Sequence, residues 1–199
     1  MNRVVEFFFD FGSPTSYLAS TQLPTICARA GASLIYRPIQ LRSLFEATGN
    51  RSPVRVMAKG RYLLIDFQRF AKRYGVSLQP NPYFPIDTWP LLRAAVALQR
   101  QDTSRFTQYL EAMFQAIWVE GRNLNDPEVL VEVLCENDID PITAQPSLEL
   151  EAILQDNLDE AVEKGAFGVP TCFVGEQMFF GQDRLDFLAE ELCQNTSRV

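Results

Sequence analysis

Near the beginning of the chain, the hydrophobic pattern changes within a few residues from that of a buried strand to that of a helix. Almost every residue from Val4 to Phe11 is β-branched or aromatic, which predicts a strand buried on both faces. Gly12 ends this run and Pro14 follows, and proline fits the first turn of a helix because it has no N–H to leave unpaired. We therefore predict a helix with Ser13 as its N-cap that ends at Gly31.

The next segment, Ala32 to Ile39, has the composition of a second strand. A single helix connects it to the first strand, so the two strands are expected to pair in parallel. Pro24 lies in the middle of that helix and is expected to kink or split it.

From Gln40 to about Gly165, the apolar residues recur at helical spacing. We expect a series of helices here, with aromatic faces that form the core of a helical subdomain. A proline-rich loop from Gln79 to Pro90 interrupts the series and carries several aromatic residues. Further boundaries are predicted from caps and turns: helix ends at Gly75 and Gly121, a helix from Asn125–Pro127 through Cys135, and a helix capped by Ser147 that runs to Lys164.

The C-terminal part of the chain returns to strand pattern. Thr171 to Val174 and Gln177 to Phe180 flank Gly175-Glu176, which predicts a hairpin. Asp183 to Cys193 is predicted to be the last helix. The two ends of the chain therefore read as βαβ and ββα, separated by the helical block.

Composition and charge narrow the class of protein. The chain has 199 residues and is 47% hydrophobic, enough for one domain or for a small domain with an insertion. Its net charge of −7 argues against nucleic acid as a partner, because phosphate binding needs clustered Lys and Arg. Neither a signal-peptide pattern nor a membrane-spanning apolar run is evident. We expect a cytoplasmic protein without a membrane partner.

The absence of histidine is more informative than the four cysteines, no two of which are spaced as C-x-x-C. Without an imidazole, a Ser-His-Asp triad, a Cys-His pair and a histidine metal site are excluded, and no metal is expected. Ser13, at a helix N-terminus, has two possible roles. It either only caps the helix or contributes to a site that favours an anion.

The order of elements, with Val169-Pro170-Thr171 just before the third strand, resembles the thioredoxin fold. This resemblance implies an α/β protein with a thioredoxin-like domain of residues 1–40 and 166–199 and an all-helical inserted domain of residues 41–165. It also implies a cis peptide bond before Pro170; the alternative is an ordinary trans proline. Where oxidoreductases of this fold have C-x-x-C, this chain has Ser13-Pro14-Thr15-Ser16. Dithiol exchange is not expected, because it needs a thiolate and a second sulfur.

Four segments carry a closer resemblance: FDFGSPTSYLA, TGN at Thr48 to Asn50, KGRYLLID at Lys59 to Asp66, and GVPTCFVGEQMFFGQDRL at Gly168 to Leu185. Together they are similar to the 2-hydroxychromene-2-carboxylate isomerase family and to the related kappa-class glutathione transferases. The chain departs from the pattern at Gly12, where a larger apolar residue is common. It departs again in the loop from Gln79 to Pro90, which has no clear match.

The resemblance implies a glutathione site. Glutathione would pair with the backbone of Val169 beside Pro170, and Ser13 would donate a hydrogen bond to its sulfur. Asp183, for which a plain N-cap is the alternative, would hold the γ-glutamyl end. The remaining implied contacts are Gln182 and Arg184 around that end, and Asn50 and Lys59 from the helical insert, for which simple solvation is the alternative.

The implied reaction is a glutathione-dependent isomerisation of 2-hydroxychromene-2-carboxylate-like aromatic compounds to trans-o-hydroxybenzylidenepyruvate, by reversible addition of the thiolate. A small aromatic substrate would bind between the two subdomains, and a homodimer is expected from the family. Two alternatives stay open: a kappa-type glutathione transferase and a non-enzymatic thioredoxin-like binding module. Candidates for the wall of the substrate site are Phe11, Tyr83, Phe84, Trp89 and Trp118.

Overall fold

Both ends of the chain meet in one four-stranded sheet. The structure is a computed structural model that describes residues 3–141 and 147–194. Its strands are β1 (Arg3–Phe9), β2 (Ala32–Pro38), β3 (Thr171–Val174) and β4 (Gln177–Phe180), in the spatial order β2-β1-β3-β4. β1 pairs with β2 in parallel and with β3 antiparallel, and β3 pairs with β4 antiparallel. The predicted strands, the parallel pair and the hairpin are confirmed.

The helices follow the predicted order, with shifts at their ends. They are α1 (Pro14–Ala30), α2 (Leu41–Thr48), α3 (Met57–Tyr74), α4 (Trp89–Gln101), α5 (Thr103–Trp118), α6 (Pro127–Glu136), α7 (Leu148–Glu163) and α8 (Leu185–Gln194). Short 3₁₀ turns precede α3 at Pro53–Arg55 and α8 at Gln182–Arg184. The last helix thus begins at Leu185, later than the predicted Asp183. α2 had no specific prediction.

α1 is one continuous helix with Pro24 inside it, so of the two expected effects of this proline, a kink or a split, the split is wrong. Pro24 lies on the exposed side of α1. A carbonyl freed from its amide partner there can be hydrogen-bonded by water, which reduces the penalty for an internal proline.

The alternation of side chains along β1 fills two apolar clusters. Phe7 and Phe9 belong to the main core, while Phe8 points to the other face of the sheet and packs with Phe173. The main core continues from the sheet into the helices of the insertion, where Tyr109 and Phe114 of α5 are both buried. The sheet and the inserted helices therefore share one core, and the division of the chain into two domains stays a prediction.

Candidate functional site

The N-terminus of α1 and the turn before β3 meet at the end of β1. Ser13 is the N-cap of α1, and its Oγ accepts a hydrogen bond from Ser16 N at 3.1 Å. The Val169-Pro170 peptide bond is cis, as the resemblance implied. The Ser13 hydroxyl lies 3.4 Å from the carbonyl oxygen of Val169. Two of the predicted glutathione contacts, 156 residues apart in the chain, are thus neighbours.

The first turn of α1 is rich in hydroxyl groups. Ser13 Oγ lies 2.8 Å from Thr15 Oγ1, and Thr15 Oγ1 lies 3.3 Å from the Val169 carbonyl oxygen. Ser13 is only 3% exposed, and Ser16 is completely buried. Within the described part of the chain, Ser16 Oγ has no hydrogen-bond partner. The site therefore offers several hydroxyl donors and few acceptors for them.

The electrostatics at this point favour an anion. The first turn of α1 contains no acidic residue, so the partial positive charge of the helix N-terminus has no carboxylate of its own helix to compensate it. The N-cap is a neutral hydroxyl. A sulfur anion placed beside Ser13 would meet both the helix dipole and hydroxyl donors.

Asp10 organises the loop that carries Ser13. Its buried carboxylate accepts hydrogen bonds from Gly12 N at 2.9 Å and from Leu41 N, the first residue of α2, at 2.7 Å. Its backbone carbonyl accepts a third bond, from Ser13 N at 3.1 Å. Burial raises the pKa of Asp10, and the nearby charge of Asp87 adds to this effect, while the N–H donors oppose it. Sequence reasoning missed this residue, because an acidic residue within an apolar run has no pattern that names its partners.

Trp118 fixes the same loop from the helical insert. Its indole Nε1 donates to the backbone carbonyl of Phe11 at 2.8 Å. The Phe11 ring is fully buried and packs against Tyr109 and Phe114. Both Phe11 and Trp118, named as candidates for the substrate wall, therefore lie in the core, where Phe11 has no face open to a ligand.

The loop between α3 and α4 supplies the exposed aromatic rings. Tyr83 is 52% exposed and Phe84 is 49% exposed, whereas Trp89 is partly buried. Asn125 holds this loop, donating from Nδ2 to the carbonyl of Pro85 at 3.0 Å. Of the five wall candidates, Tyr83 and Phe84 are the most accessible.

The two departures from the family pattern meet in space. A side-chain Cβ built on Gly12 would lie 3.3 Å from Cγ2 of Thr88, at the end of the loop from Gln79 to Pro90. Thr88 is buried and also hydrogen-bonds Asp10. The small residue at position 12 thus accommodates the threonine. Sequence reasoning did not name Thr88, because nothing local indicates that it packs on residue 12.

The turn after β4 also lies beside Pro170. Gly181 N donates to the Pro170 carbonyl at 2.9 Å, and Tyr74 of α3 donates from its hydroxyl to the Gln182 carbonyl at 2.5 Å. Asp183 and Arg184 form an ion pair with each other, and both side chains are partly exposed. The predicted γ-glutamyl contacts therefore adjoin the predicted peptide-binding turn.

Asn50 and Lys59 occupy different positions relative to this turn. Asn50 donates from Nδ2 to the Phe167 carbonyl at 2.7 Å, so it contacts the segment that leads to Val169. Lys59, on the exposed first turns of α3, borders a hollow of about 430 Å³ together with Tyr62 and Leu63. Asn50 is thus joined to the segment before Val169, whereas the contacts of Lys59 lie on α3 and the turn before it.

The described residues contain neither a candidate metal-binding cluster nor a candidate membrane-spanning helix. Across residues 3–141 and 147–194, no group of His, Cys, Asp and Glu side chains could hold a metal ion. In the same part of the chain, no helix is both long and apolar enough to span a membrane.

Comparison with known proteins identifies the family to which this fold belongs. The model of the DsbA-like thioredoxin domain matches residues 4–193, so the chain belongs to the DsbA-like thioredoxin family. A 2-hydroxychromene-2-carboxylate isomerase of Sphingobium xenophagum is 32% identical over 204 residues, which cover 96% of this chain and 99% of that protein. The resemblance to the isomerase family is thereby confirmed, and the chain belongs to it.

Two further comparisons agree. Glutathione S-transferase kappa 1 of Caenorhabditis elegans is 26% identical, covering 96% of this chain and 91% of that protein. A solved structure of a 2-hydroxychromene-2-carboxylate isomerase matches with a TM-score of 0.82 at 28% identity, covering 98% of both chains. The names of the two isomerase relatives support an enzyme of the isomerase type, whereas the kappa relative is named a transferase.

Proposed function

We propose that this chain is a glutathione-dependent isomerase that acts on 2-hydroxychromene-2-carboxylate-like aromatic compounds. The observation that carries the proposal is the hydroxyl-rich first turn of α1, which contains no acidic residue, beside the Val169 carbonyl. Within a thioredoxin fold that lacks C-x-x-C, this arrangement suits a sulfur anion that the protein itself does not supply.

Glutathione fits the residues present. Its thiol has an ordinary pKa of about 8.5 and is mostly protonated at neutral pH. The dipole of α1 and the Ser13 hydroxyl would each stabilise the thiolate and lower that pKa. Ser13 is suited to this role if Thr15 donates in the 2.8 Å contact between the two hydroxyls, because the Ser13 proton then has only a stretched contact, 3.4 Å from Val169 O, to give up.

The rest of the tripeptide has complementary groups within the same corner of the molecule. The backbone of Val169 lies next to Ser13 and would pair with the cysteine backbone of glutathione. Asp183 would attract the γ-glutamyl ammonium, and Gln182 and Arg184 would line the same end. Asn50 would contribute from the segment that already bonds Phe167, and Lys59 would approach from α3.

The reaction requires no histidine and no metal. When bound, glutathione would supply a nucleophilic sulfur able to add reversibly to the conjugated carbon of the ring-opened substrate, so that its two geometric isomers interconvert. The chain's own residues hold the sulfur at Ser13, position the peptide at Val169, and exclude water with the buried loop from Asp10 to Ser13.

The substrate would lie against the loop between α3 and α4. Tyr83 and Phe84 present exposed aromatic surface there, with Trp89 behind them. Aromatic walls bind planar aromatic compounds by stacking. Because Gly12 and Thr88 join this loop to the Ser13 loop, the substrate wall and the sulfur site would be held in a fixed relation.

The test is the stoichiometry of glutathione. With catalytic glutathione and excess 2-hydroxychromene-2-carboxylate, an isomerase turns over many equivalents of substrate, up to its equilibrium with the isomer, while the concentration of free thiol stays constant. A kappa-type transferase, the second candidate in view of the kappa relatives, consumes one thiol for each electrophile conjugated. Absence of glutathione binding in calorimetry at millimolar concentration would contradict both enzymes and leave a binding module.

A homodimer is part of the proposal. The segment from Pro53 to α3 exposes an unusual amount of apolar surface, which a second copy would cover. Sedimentation velocity on the parent chain and on a Met57→Glu variant measures whether this surface associates. The exposed apolar side chains are Val54, Val56, Met57, Tyr62, Leu64 and Ile65.

A further inference from the structure

Thr15 lies in the first turn of α1 and is the closest hydroxyl neighbour of Ser13. Its Oγ1 is 2.8 Å from Ser13 Oγ, the ordinary length of a hydroxyl–hydroxyl hydrogen bond. Either oxygen is able to donate in this contact. Thr15 is partly exposed, whereas Ser13 is almost completely buried. The resemblance to the isomerase family assigned no role to Thr15.

The hydrogen-bonding capacity of Ser13 limits how its proton can point. A hydroxyl oxygen has two acceptor lone pairs and one donor proton. One lone pair accepts from Ser16 N. If Thr15 donates to the other, both lone pairs are used, and the Ser13 proton is confined to the one tetrahedral direction that remains.

The contacts with the Val169 carbonyl are too long to hold either proton firmly. Ser13 Oγ lies 3.4 Å and Thr15 Oγ1 lies 3.3 Å from that oxygen, whereas hydroxyl hydrogen bonds are usually about 2.7–2.8 Å long. The short Ser13–Thr15 contact therefore uses one of the two hydroxyl protons. The other proton remains available for a better acceptor.

We propose that Thr15 is a positioning residue that donates to Ser13 Oγ and thereby aims the Ser13 hydroxyl proton at the glutathione sulfur. This inference rests on the proposed function. Donation by Thr15 also polarises the Ser13 O–H bond, because hydrogen bonds in a chain strengthen one another. Thr15 does not itself contact the sulfur.

The experiment measures the thiol pKa of bound glutathione by thiolate absorbance in the parent chain and in Thr15→Val. The variant should raise this pKa by about half a unit, a threefold lower thiolate fraction below both pKa values. Thr15→Ser should restore the parent value, because it keeps the hydroxyl. Thr21→Val is the matched control: Thr21 lies on the same helix but donates to Leu18 O at 2.7 Å, and its loss should not move the pKa.

A double mutant separates positioning from direct contact. In the Ser13→Ala background, Thr15→Val should change nothing further, because Thr15 has no serine to orient. A full effect in that background would mean that Thr15 donates to the sulfur itself, which overturns the proposal. S-methylglutathione, which has no thiol proton, should bind the parent and Thr15→Val equally; an equal loss for both ligands would indicate a structural effect and also overturn it.

The possible failures are distinguishable. If the parent chain binds no glutathione, the proposed function and this inference fall together. If the parent binds glutathione with a lowered thiol pKa and Thr15→Val leaves that pKa unchanged, only the role of Thr15 is lost. Should Thr15→Val not fold, Thr15→Ala removes the same hydroxyl with less bulk, and its pKa decides in the same way.

Discussion

The N-termini of α1 and α5 are capped by different chemistry. Asp102 caps α5 with a carboxylate that accepts from Ser104 N at 2.8 Å and from Arg105 N at 3.3 Å. Ser13 caps α1 with a neutral hydroxyl. The α5 cap is exposed and the α1 cap is buried.

The chemistry of the cap determines whether the N-terminus of a helix can also attract an external anion. A carboxylate cap neutralises the positive end of its own helix dipole, so α5 has little attraction left for an external anion. A serine cap satisfies the same backbone N–H without adding a charge at the helix end. Because the N-terminus of α1 is buried, where the dielectric is low, its positive potential is stronger than it would be at the surface.

Exchanging the two cap residues should give the largest expected effect, which is on the affinity for glutathione. In Ser13→Asp, a carboxylate would occupy the place proposed for the sulfur anion, and glutathione affinity should fall by about a hundredfold or more, since like charges in contact cost several kcal/mol. Isothermal calorimetry measures this loss, with circular dichroism to show that the helix content is retained.

The reverse exchange is the control for the first. Asp102→Ser should change the free energy of unfolding only slightly, because serine and aspartate are nearly equal as caps. Glutathione affinity should not change. If Ser13→Asp bound glutathione as tightly as the parent, α1 would not be the anion site.

Asp10 should have the next largest effect, on stability. In Asp10→Asn, the amide keeps one acceptor and turns a donor toward Gly12 N or Leu41 N, so one buried N–H loses its partner, at a cost of about 1–3 kcal/mol. Urea unfolding measures the change. Asp87→Asn is the matched control on the neighbouring loop, where the exposed side chain keeps the oxygen that accepts from Trp89 N. An equal effect of both substitutions would contradict the role given to Asp10.

Removing the hydroxyl of Ser13 should have a smaller effect on the α1 cap than adding a charge to it. Ser13→Ala should raise the thiol pKa of bound glutathione by about one unit, since a hydrogen bond to a charged group contributes about 1.5–3 kcal/mol net and one pKa unit corresponds to about 1.4 kcal/mol. Loss of the cap should lower stability by about 1 kcal/mol. A thiolate absorbance titration that superposes on that of the parent would exclude Ser13 as the donor.

The sequence predicted the strands, the hairpin and the Ser13 cap because each depends on neighbouring residues. The meeting of Ser13 with Val169 followed from a family resemblance that the comparisons confirm. Asp10 and Thr88 were not predicted, because their partners lie far away in the chain. Phe11 was placed at the substrate for the same reason: an aromatic residue after a strand has the same pattern whether it faces a ligand or the core.

The smallest expected effect is on the pH dependence of stability, which should differ between the α5 cap and the loop before α1. The Ser104 hydroxyl and the N–H groups at the α5 cap lower the pKa of Asp102, so the unfolded chain binds this proton more tightly than the folded one. The stability that Asp102 contributes is therefore present above its unfolded pKa of about 3.9 and is lost as the pH falls below it. Asp102→Ser should remove this dependence.

The pKa shift of Asp10 has the opposite sign to that of Asp102. Burial raises the pKa of Asp10 in the folded state, and folding then favours the protonated form. Its contribution should be greatest below about pH 3.9 and should decrease as the pH rises through the raised value. Urea unfolding from about pH 3 to pH 6 should therefore show the parent's advantage over Asp102→Ser growing with pH, while its advantage over Asp10→Asn shrinks. Parallel curves for the two variants would mean that the buried loop and the exposed cap are electrostatically alike, and the contrast between α1 and α5 would lose its physical basis.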